Sequence, residues 1–550
     1  MTYRVAIVED NATARATLRS HLLQIEPFTV SSFSQGSELQ SALRVQHFEI
    51  IIFDYYLGET KTGVEWLTTL RESRFIRPGT GIIFITSDRL PQTIGQIIDC
   101  QPDLVLIKPY NLQTLSRGIK QYLAYRQVAH SALQAMDEQQ PAEALRLLKA
   151  SLSQDIPLRI RTDIIKLKAR LLFESGEIRQ ARELYEAVLL DSDRVLWAQW
   201  GKIKCLYMEG RWEHCQSDLT GLIETELAKN KAFEWLAGLS FEQQAYDKAE
   251  YYLDRIAFSA LSIPAARLKS LTYQRQDRVL DGIDLLQKKR HSHKTSKETF
   301  NEFTFELAEF YLSIAEHQPA ANRGESLSQA RRLIGVAGRQ NYDAQQNKKQ
   351  AVLMAYAAVL EGDSVRAQSL LEHDIADYFA RTDAATLISA AKVYSSLNKA
   401  EKAREMLSMA HERTQNNLSL AQRTSHQDAI RTAEQQLGIA ADQAFELNDE
   451  GTRYFLQKLY LKAMYYFYQA HILLPERAAF ALNLLQCMTE TDTADYRTVK
   501  AQTLFTRLTR TRLSTSNHTR LQKIRQMFAD KSMSLPDDSQ TGQPGLSDPE

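Results

Sequence analysis

The sequence predicts a multidomain protein in which an α/β domain with a five-stranded parallel sheet is followed by an all-α solenoid of helical repeats. In the first 125 residues, short β-rich runs alternate with helical patterns, which is typical of a doubly wound parallel sheet. Strand patterns then disappear, and the helix-favouring residues Ala, Leu, Glu, Gln, Lys and Arg dominate. A chain of 550 residues also exceeds what one hydrophobic core organises.

We therefore predict four segments along the chain. The α/β domain covers residues 1–125, and two subsets of helical repeats cover residues 126–295 and 296–530, the second ending in a helical cap. Residues 531–550 are rich in Ser, Asp, Pro, Gly and Gln, so we predict a disordered tail there.

Composition excludes several classes of protein. The 67 basic residues balance the 67 acidic ones, so no global charge favours nucleic acid or anionic lipid. The four cysteines are scattered without a C-x-x-C pair, which argues against a disulfide framework or a zinc site. The first ten residues lack a signal-peptide pattern, and no apolar run approaches the roughly 18 residues that span a bilayer. We expect a cytoplasmic protein without membrane insertion.

The first 125 residues contain five predicted strands and five predicted helices. The strands cover residues 3–8, 29–33, 50–53, 81–86 and 104–107, and the helices cover 12–24, 36–46, 63–74, 91–99 and 112–125. The run Ile50-Ile51-Ile52-Phe53 is apolar throughout, as a strand buried on both faces requires, and it ends in Asp54.

Polar residues lie at or just past the carboxyl ends of four strands. They are Glu9 and Asp10, Asp54, Thr86, and Lys108 with Pro109. Because these ends meet at one edge of a parallel sheet, we expect the side chains to converge. Three carboxylates gathered there repel one another unless a cation joins them, and Mg²⁺ prefers oxygen ligands and shares phosphate oxygens.

These six residues, in this order, resemble the receiver domain of two-component response regulators, which has a flavodoxin-like (CheY-like) fold. The resemblance implies that Asp54 accepts a phosphoryl group from a histidine kinase or phosphotransfer protein. It implies that Mg²⁺ is bound by Glu9, Asp10, Asp54 and the backbone carbonyl of Tyr56. It further implies that Lys108 pairs with the phosphoryl group, that Thr86 moves to hydrogen-bond it, and that the Lys108–Pro109 peptide is cis.

One residue departs from the family's pattern. The aromatic switch residue, usually three positions before the lysine, is Val105 here. A relay from Thr86 to an aromatic ring is therefore in doubt, and transmission could instead depend on the fourth helix and its loop. A receiver fold that signals without phosphate is the alternative, although such a domain would be expected to lack one of the six residues.

The later helical region has an internal repeat. Four positions recur at a 34-residue interval: Ala169, Ile203 and Ala237; Gly176, Gly210 and Gln244; Ile178, Trp212 and Tyr246; Ala181, Cys215 and Ala249. The pattern resembles the tetratricopeptide (TPR) repeat, as does the unit formed by Gly451, Tyr454, Ala463, Phe467, Ala470 and Pro475. We expect about eight to ten helical hairpins stacked into a superhelix that binds partner proteins.

Two segments interrupt this rhythm. Residues 288–297 are polar and basic and indicate a loop, in which His291 and His293 lack a third metal ligand. Residues 412–439 form a long polar helical stretch, which we interpret as a spacer or dimerisation element. A homodimer is therefore one alternative for the oligomeric state. Aromatic residues cluster near residue 460; we expect core positions for Tyr454, Tyr460 and Phe467, while Tyr465 and Tyr468 stay open as surface contacts.

The segment from residue 497 to 525 is basic and has no acidic residue. Its charges fit a solvated terminal cap of the repeats, or alternatively a nucleic-acid-binding surface whose affinity falls as salt rises.

Our leading hypothesis is a response regulator whose phosphorylation at Asp54 controls protein–protein interactions of the repeats. The alternative is a transcriptional or RNA-binding regulator that uses the basic segment. The repeats contain no Gly-rich phosphate loop, H-E-x-x-H or G-x-S-x-G motif, so we predict no enzymatic activity beyond the receiver's own phosphorylation and dephosphorylation.

Overall fold

The computed structural model describes residues 3–58, 61–338, 344–371, 379, 382–415, 419–438, 440–511 and 513–530. The predicted disordered tail lies outside these residues. The chain divides into two compact units: unit one is Met1–Cys205 with Cys215–Ile430, and unit two is Leu206–His214 with Arg431–Glu550.

Unit one begins with the predicted α/β domain. Its strands are β1 (Arg4–Val8), β2 (Thr29–Phe33), β3 (Ile50–Asp54), β4 (Gly81–Thr86) and β5 (Leu104–Ile107), and its helices are α1 (Ala12–Ile25), α2 (Gly36–Leu43), α3 (Gly63–Glu72), α4 (Pro91–Asp99) and α5 (Leu112–Asp137). The strands pair in parallel in the order β2-β1-β3-β4-β5. The predicted doubly wound sheet is confirmed.

Helices cover both faces of this sheet. Along β3, Ile50 and Ile52 belong to one apolar cluster, whereas Ile51 and Phe53 belong to another on the opposite face. Successive side chains of a strand point to opposite faces, so an uninterrupted apolar run is what a strand covered on both sides needs. The core thereby holds the end of β3, and with it Asp54, in a fixed position.

Helix α5 continues without a break past residue 125, where we place the end of the α/β domain. Its first half packs on the sheet through Leu115 and Ile119, and its second half packs on the next helix through Leu133 and Met136, all within one apolar cluster. The two regions therefore share one 26-residue helix and one core.

The rest of unit one is helical and includes parts of α9, α10 and α21. The helices are α6 (Pro141–Leu152), α7 (Leu158–Glu174), α8 (Ile178–Asp191), α9 (Leu196–Met208), α10 (Trp212–Leu222), α11 (Lys229–Glu242), α12 (Tyr246–Asp254), α13 (Ile263–Arg275), α14 (Val279–Ser292), α15 (Lys297–His317), α16 (Gly324–Gly338), α17 (Ala344–Glu361), α18 (Ser364–Leu371), α19 (Ala384–Ser396), α20 (Ala400–Gln415) and α21 (Leu420–Gln436). Successive helices pair, as in α11 with α12, α13 with α14 and α15 with α16.

The repeat positions have the predicted structural roles. Ala169 and Ala181 of the hairpin α7–α8 are fully buried, because a small side chain lets the two helices approach closely. Gly176 forms the turn between them with φ 79°. Gln244 occupies the equivalent turn of the hairpin α11–α12 at φ 60°, a conformation that glycine adopts without strain and other residues rarely adopt. The all-α region of TPR-type hairpins is confirmed.

The loop predicted over residues 288–297 is wrong for its first half. Helix α14 continues to Ser292. Lys289 in this segment is 1% exposed, and its Nζ donates a hydrogen bond to the Phe258 carbonyl at 3.0 Å, so this part of the segment packs against the protein. Burial lowers the pKa of Lys289 to about 8. The polar appearance of this segment therefore conceals one buried lysine in the last turns of α14.

Helix α4 of the α/β domain packs directly on the helical region. An added Cβ at Gly95 would lie 2.1 Å from the Leu227 carbonyl oxygen, just before α11. The Asp99 carboxylate at the end of α4 pairs with Lys231 of α11 at 2.7 Å. The backbone of α4 is thus in direct contact with the start of α11.

Unit two contains α22 (Ala440–Leu456), α23 (Tyr460–Leu473), α24 (Ala478–Glu490), the short strands β6 (Asp495–Tyr496) and β7 (Val499–Lys500), α25 (Ala501–Arg510) and α26 (Thr515–Asp530). Of the three aromatic residues expected in the core, Phe467 is 3% exposed, whereas Tyr454 and Tyr460 are half-buried. Tyr468, which we left open, is buried.

The basic segment of unit two is partly engaged in internal contacts. Arg497 is 8% exposed, and its guanidinium lies 5.2–5.8 Å from the ring centres of Tyr207, Trp212, Tyr465, Tyr468 and Tyr496. Arg507 contacts His471 at 3.2 Å, and Arg520 donates to Gln486. Among the described residues, these three charges stabilise a terminal cap. No helix in the described part of the chain is long and apolar enough to cross a membrane.

Replacing Gly95 with alanine should destabilise the protein by on the order of 1–3 kcal/mol, because the added methyl group must displace the Leu227 backbone. Gly221→Ala is the matched control: it lies in α10 with open space around it, so the better helix former should leave stability unchanged or raise it by about 0.5–1 kcal/mol. Chemical denaturation of both variants measures the difference. Equal stabilities would contradict the close packing of α4.

Candidate functional site

Three carboxylates meet at the carboxyl edge of the sheet. Glu9 and Asp10 follow β1 and Asp54 ends β3, and one oxygen from each lies within 4.8 Å of the others. Glu9 is 3% exposed and Asp54 is 9% exposed, so two of the three are largely shielded from water. The sheet therefore brings together three of the residues predicted to converge.

Strand register explains this geometry. Strands β1 and β3 are direct neighbours, and Val8 pairs with Phe53. The residues that follow this pair, Glu9 and Asp54, therefore lie side by side. Lys108 follows β5 at the far side of β4, and its long side chain reaches back across the edge. Its Nζ lies 2.7 Å from Glu9 Oε2 and 3.0 Å from Asp54 Oδ2.

The environment of Asp54 disfavours its charge. Burial and the neighbouring charge of Glu9 raise the pKa of Asp54 from 3.8 to about 6, although Lys108 and the Tyr55 N–H, which donates to Oδ1 at 2.8 Å, oppose the shift. A single lysine thus leaves the carboxylate cluster under-neutralised. A hard divalent cation would supply the missing charge, and carboxylate and carbonyl oxygens are the ligands that Mg²⁺ prefers.

The cluster opens into a cleft that a small ligand could enter. Its lining includes Glu9, Asp10, Asp54, Tyr56, Lys108 and Pro109 together with residues from the start of α1. Gly58, with φ 72°, carries the loop after β3 past Asp10 so closely that an added Cβ would lie 3.2 Å from Asp10 Oδ2. The residues present fit a Mg²⁺ site that keeps open positions for water or phosphate.

The remaining predicted residues lie around this cleft. Thr86 is fully buried, and its Oγ1 accepts a hydrogen bond from the Asp88 N–H at 3.0 Å. It follows Ile85, which pairs with Asp54 in the sheet. Val105 is half-buried beside Phe84 in the neighbouring strand, and the Lys108–Pro109 peptide is cis.

Sequence reasoning missed the side-chain contacts of Tyr55 and Tyr56. The Tyr55 hydroxyl donates to Gln96 Oε1 of α4 at 2.6 Å, and the Tyr56 hydroxyl donates to Asp88 Oδ2 at 3.0 Å. Two aromatic residues directly after Asp54 were the available signal. They connect Asp54 to α4 and its preceding loop although Val105 lacks an aromatic ring.

The loop between β3 and α3 is anchored outside the α/β domain. Lys61 is 6% exposed, forms an ion pair with Glu302 of α15, and donates its backbone N–H to Glu298 of the same helix at 3.3 Å. Gly63, two residues later, lies so close that an added Cβ would meet the Asp54 carbonyl oxygen at 2.2 Å. The helical region therefore contacts the loop that leads away from Asp54.

In metal-free buffer at pH 8, Asp54→Asn should raise the free energy of unfolding by on the order of 1–2 kcal/mol, because the ionised carboxylate is disfavoured in the folded state. The folded-state pKa is raised, so ionisation destabilises the protein as pH rises through the window from 3.8 to about 6. The advantage of the variant should shrink as pH falls through that window. Urea denaturation at pH 8 and 5 tests this, and a variant that is less stable at both would contradict it.

Residues 5–120 match the family model described as "Response regulator receiver domain". No curated protein matches the chain significantly. Similar solved structures include the BeF3-activated DrrB receiver domain, at 22% identity over 22% of this chain and 99% of that one (TM-score 0.20). Another is the Vibrio cholerae chemotaxis protein CheY4, at 21% identity over 22% and 99% (TM-score 0.21).

A tetratricopeptide repeat protein from Parabacteroides merdae is similar at 12% identity over 55% of this chain and 99% of that one, with a TM-score of 0.29. The match to the family model accords with the sheet order and with the acidic residues that end β1 and β3. The chain therefore begins with a response regulator receiver domain. It continues as an all-α region of paired helices.

Proposed function

We propose that the protein is a response regulator that accepts a phosphoryl group on Asp54 and signals through phosphorylation-dependent protein–protein interactions of its helical region. The observation that carries this proposal is the set of three carboxylates at the sheet edge, two of which, Glu9 and Asp54, are bridged by Lys108 at 2.7 and 3.0 Å. The phosphoryl donor is a histidine kinase or a phosphotransfer protein, and the output partner is a protein.

Asp54 acts as the nucleophile in the transfer. An oxygen of its carboxylate attacks the phosphorus of a phosphohistidine, so that a P–O bond forms while the P–N bond breaks and the imidazole leaves with the electron pair. Lys108 is within reach of the new phosphoryl oxygens and would exchange its contact with Asp54 for one with them. Hydrolysis by water returns the carboxylate, and we propose no other enzymatic activity.

Glu9, Asp10, Asp54 and the Tyr56 carbonyl would hold Mg²⁺. When bound, the ion would neutralise negative charge on the transferred group. The buried Thr86 hydroxyl would exchange its contact with the Asp88 N–H for a phosphoryl oxygen, which would alter the loop before α4.

The state of Asp54 can reach the helical region by two routes. One leads through Tyr55 to Gln96 on α4, and from Asp99 of α4 to Lys231 of α11. The other leads through the β3–α3 loop to Lys61 and α15. If a contact is stronger in one arrangement of the helices than in another, a change at Asp54 that alters the contact would shift the equilibrium between the two arrangements. The coupling free energy between two such sites is usually about 1–3 kcal/mol.

Incubation with acetyl phosphate and Mg²⁺ should add one phosphoryl group to the wild-type chain and none to Asp54→Asn, because the nucleophile is absent. Lys108→Ala should be modified at least tenfold more slowly, since the developing charge loses its cation. Intact-mass spectrometry follows the reaction. As a matched control, Lys120→Ala, on the part of α5 remote from the cleft lining, should react like the wild type. Modification of Asp54→Asn at the wild-type rate would contradict the assignment.

Affinity capture of partners should depend on phosphorylation. We expect the wild-type chain, kept phosphorylated by acetyl phosphate and Mg²⁺, to differ from Asp54→Asn under the same conditions in the set of captured proteins or in their affinities. Lys61→Met removes the ion pair with Glu302 while keeping an apolar chain of similar length, and it should reduce that difference. Identical partners and affinities for wild type and Asp54→Asn would exclude phosphorylation control.

A further inference from the structure

Helix α21 is polar in sequence but buried in unit one. Its residues that are at most 3% exposed include Leu420, Thr424, Ser425, His426 and Ile430. A hydrophilic helix of this kind usually lies on a surface, since each buried polar group needs a partner. Thr424 and His426 have their partners on other helices, whereas the Ser425 hydroxyl donates to the Ala421 carbonyl of α21 itself.

The start of this helix is held by α11. The Ser419 hydroxyl donates to Glu234 Oε1 at 2.7 Å, and the Thr424 hydroxyl donates to Glu242 Oε1 at 2.8 Å. Between these two acids, Leu420 packs against Gly238, where an added Cβ would lie 2.9 Å from Leu420 Cγ. Glu234, Gly238 and Glu242 are spaced by four residues and form one face of α11.

The next contacts are made by α13. Arg275 Nη2 donates to both carboxylate oxygens of Asp428, at 2.7 and 2.9 Å. Arg267 Nη1 lies 2.7 Å from His426 Nε2. Arg267 is itself held by Glu306 of α15, whose Oε2 accepts a hydrogen bond from Arg267 Nε at 2.6 Å. Burial and the charge of Arg267 lower the pKa of His426 to about 3, so the ring is neutral at physiological pH and Nε2 can accept the hydrogen bond.

These contacts come from the first helices of consecutive hairpins. In stacked hairpins, such helices line one continuous face, which is where solenoids take extended or helical ligands. The contacts between this face and residues 419–428 include hydroxyl–carboxylate, imidazole–guanidinium and carboxylate–guanidinium pairs, and Leu420 packs against Gly238. Water can replace each pair when the surfaces separate, so release costs less than opening an apolar helix interface would.

We propose that the face of α11 and α13 covered by α21 is a binding site for a helix of a partner protein, and that α21 is its intramolecular occupant. We expect the partner helix to repeat the pattern of Leu420, Thr424 and Asp428. It would carry a leucine that packs against Gly238, a hydroxyl residue four positions later and an acidic residue four positions after that. Here the inference deepens the proposed function, because Lys231 on α11 is the residue that Asp99 of the receiver domain contacts.

A labelled synthetic peptide of residues 419–437 tests this with the full-length chain. The double variant Leu420→Asp, Asp428→Arg disfavours the cis helix while leaving the groove residues unchanged. We expect the peptide to bind this variant at least tenfold more tightly than the wild type in fluorescence anisotropy. A peptide with the same two substitutions should not bind. Gln422→Ala, at a half-buried position of α21 with an ordinary helix former, should behave like the wild type.

Failure of the variant to bind, or equal binding to wild type and variant, would overturn the proposal. If circular dichroism shows that the double variant is unfolded, the single variant Arg275→Asp decides instead. Its groove should prefer the peptide carrying Asp428→Arg over the native peptide by at least tenfold, and no preference would overturn the proposal.

The experiment separates this site from phosphorylation control. Peptide binding to the double variant needs no phosphoryl group, so it tests the groove alone. Acetyl phosphate and Mg²⁺ should then increase peptide binding to the wild-type chain but not to Asp54→Asn. Binding to the double variant without this increase would retain the groove and refute the regulation.

Discussion

The repulsion among Glu9, Asp10 and Asp54 is the interaction on which the rest of the structure depends. A parallel sheet places the ends of neighbouring strands together, and the register of β1 with β3 gives these acids no means of separating. Burial, together with the charge of Glu9, raises the pKa of Asp54 to about 6, although Lys108 offsets part of the charge. A site with too little positive charge is ready for a cation, and with the cation it can hold a phosphoryl group.

This constraint matters beyond the sheet because the helical region contacts both segments that leave the site. Lys61 connects the loop after β3 to α15, and Asp99 connects α4 to α11. Both lysines are largely shielded from solvent, so removing one partner of either pair would leave a buried charge uncompensated. The two ion pairs should therefore contribute more to the contact between the receiver domain and the helical region than exposed surface pairs would.

The sheet and the acidic cluster were predicted correctly from the sequence. Strand periodicity and strand order determine where these residues lie, whichever helices pack against the sheet. The side-chain contacts of Tyr55 and Lys61 could not be predicted, because their partners, Gln96 and Glu302, are distant in sequence. For the same reason Lys289 and Arg497 were interpreted as solvated charges. Their burial depends on aromatic rings from other segments, and a local pattern of charges carries no information about them.

Helix α21 shows the same limit and also its physical consequence. Its composition led us to expect a spacer or dimerisation element, since a polar helix gains little by packing on an apolar core. It is buried because α11 and α13 present acids and guanidinium groups at the spacing of its hydroxyl, imidazole and carboxylate side chains. Such an interface is specific, since each mismatched group would be left unpaired. Its net stabilisation is modest, because separation exchanges each of these hydrogen bonds for one with water. Specificity combined with modest stability is what a ligand that must be displaced requires, whereas a permanent element of the core would need apolar packing.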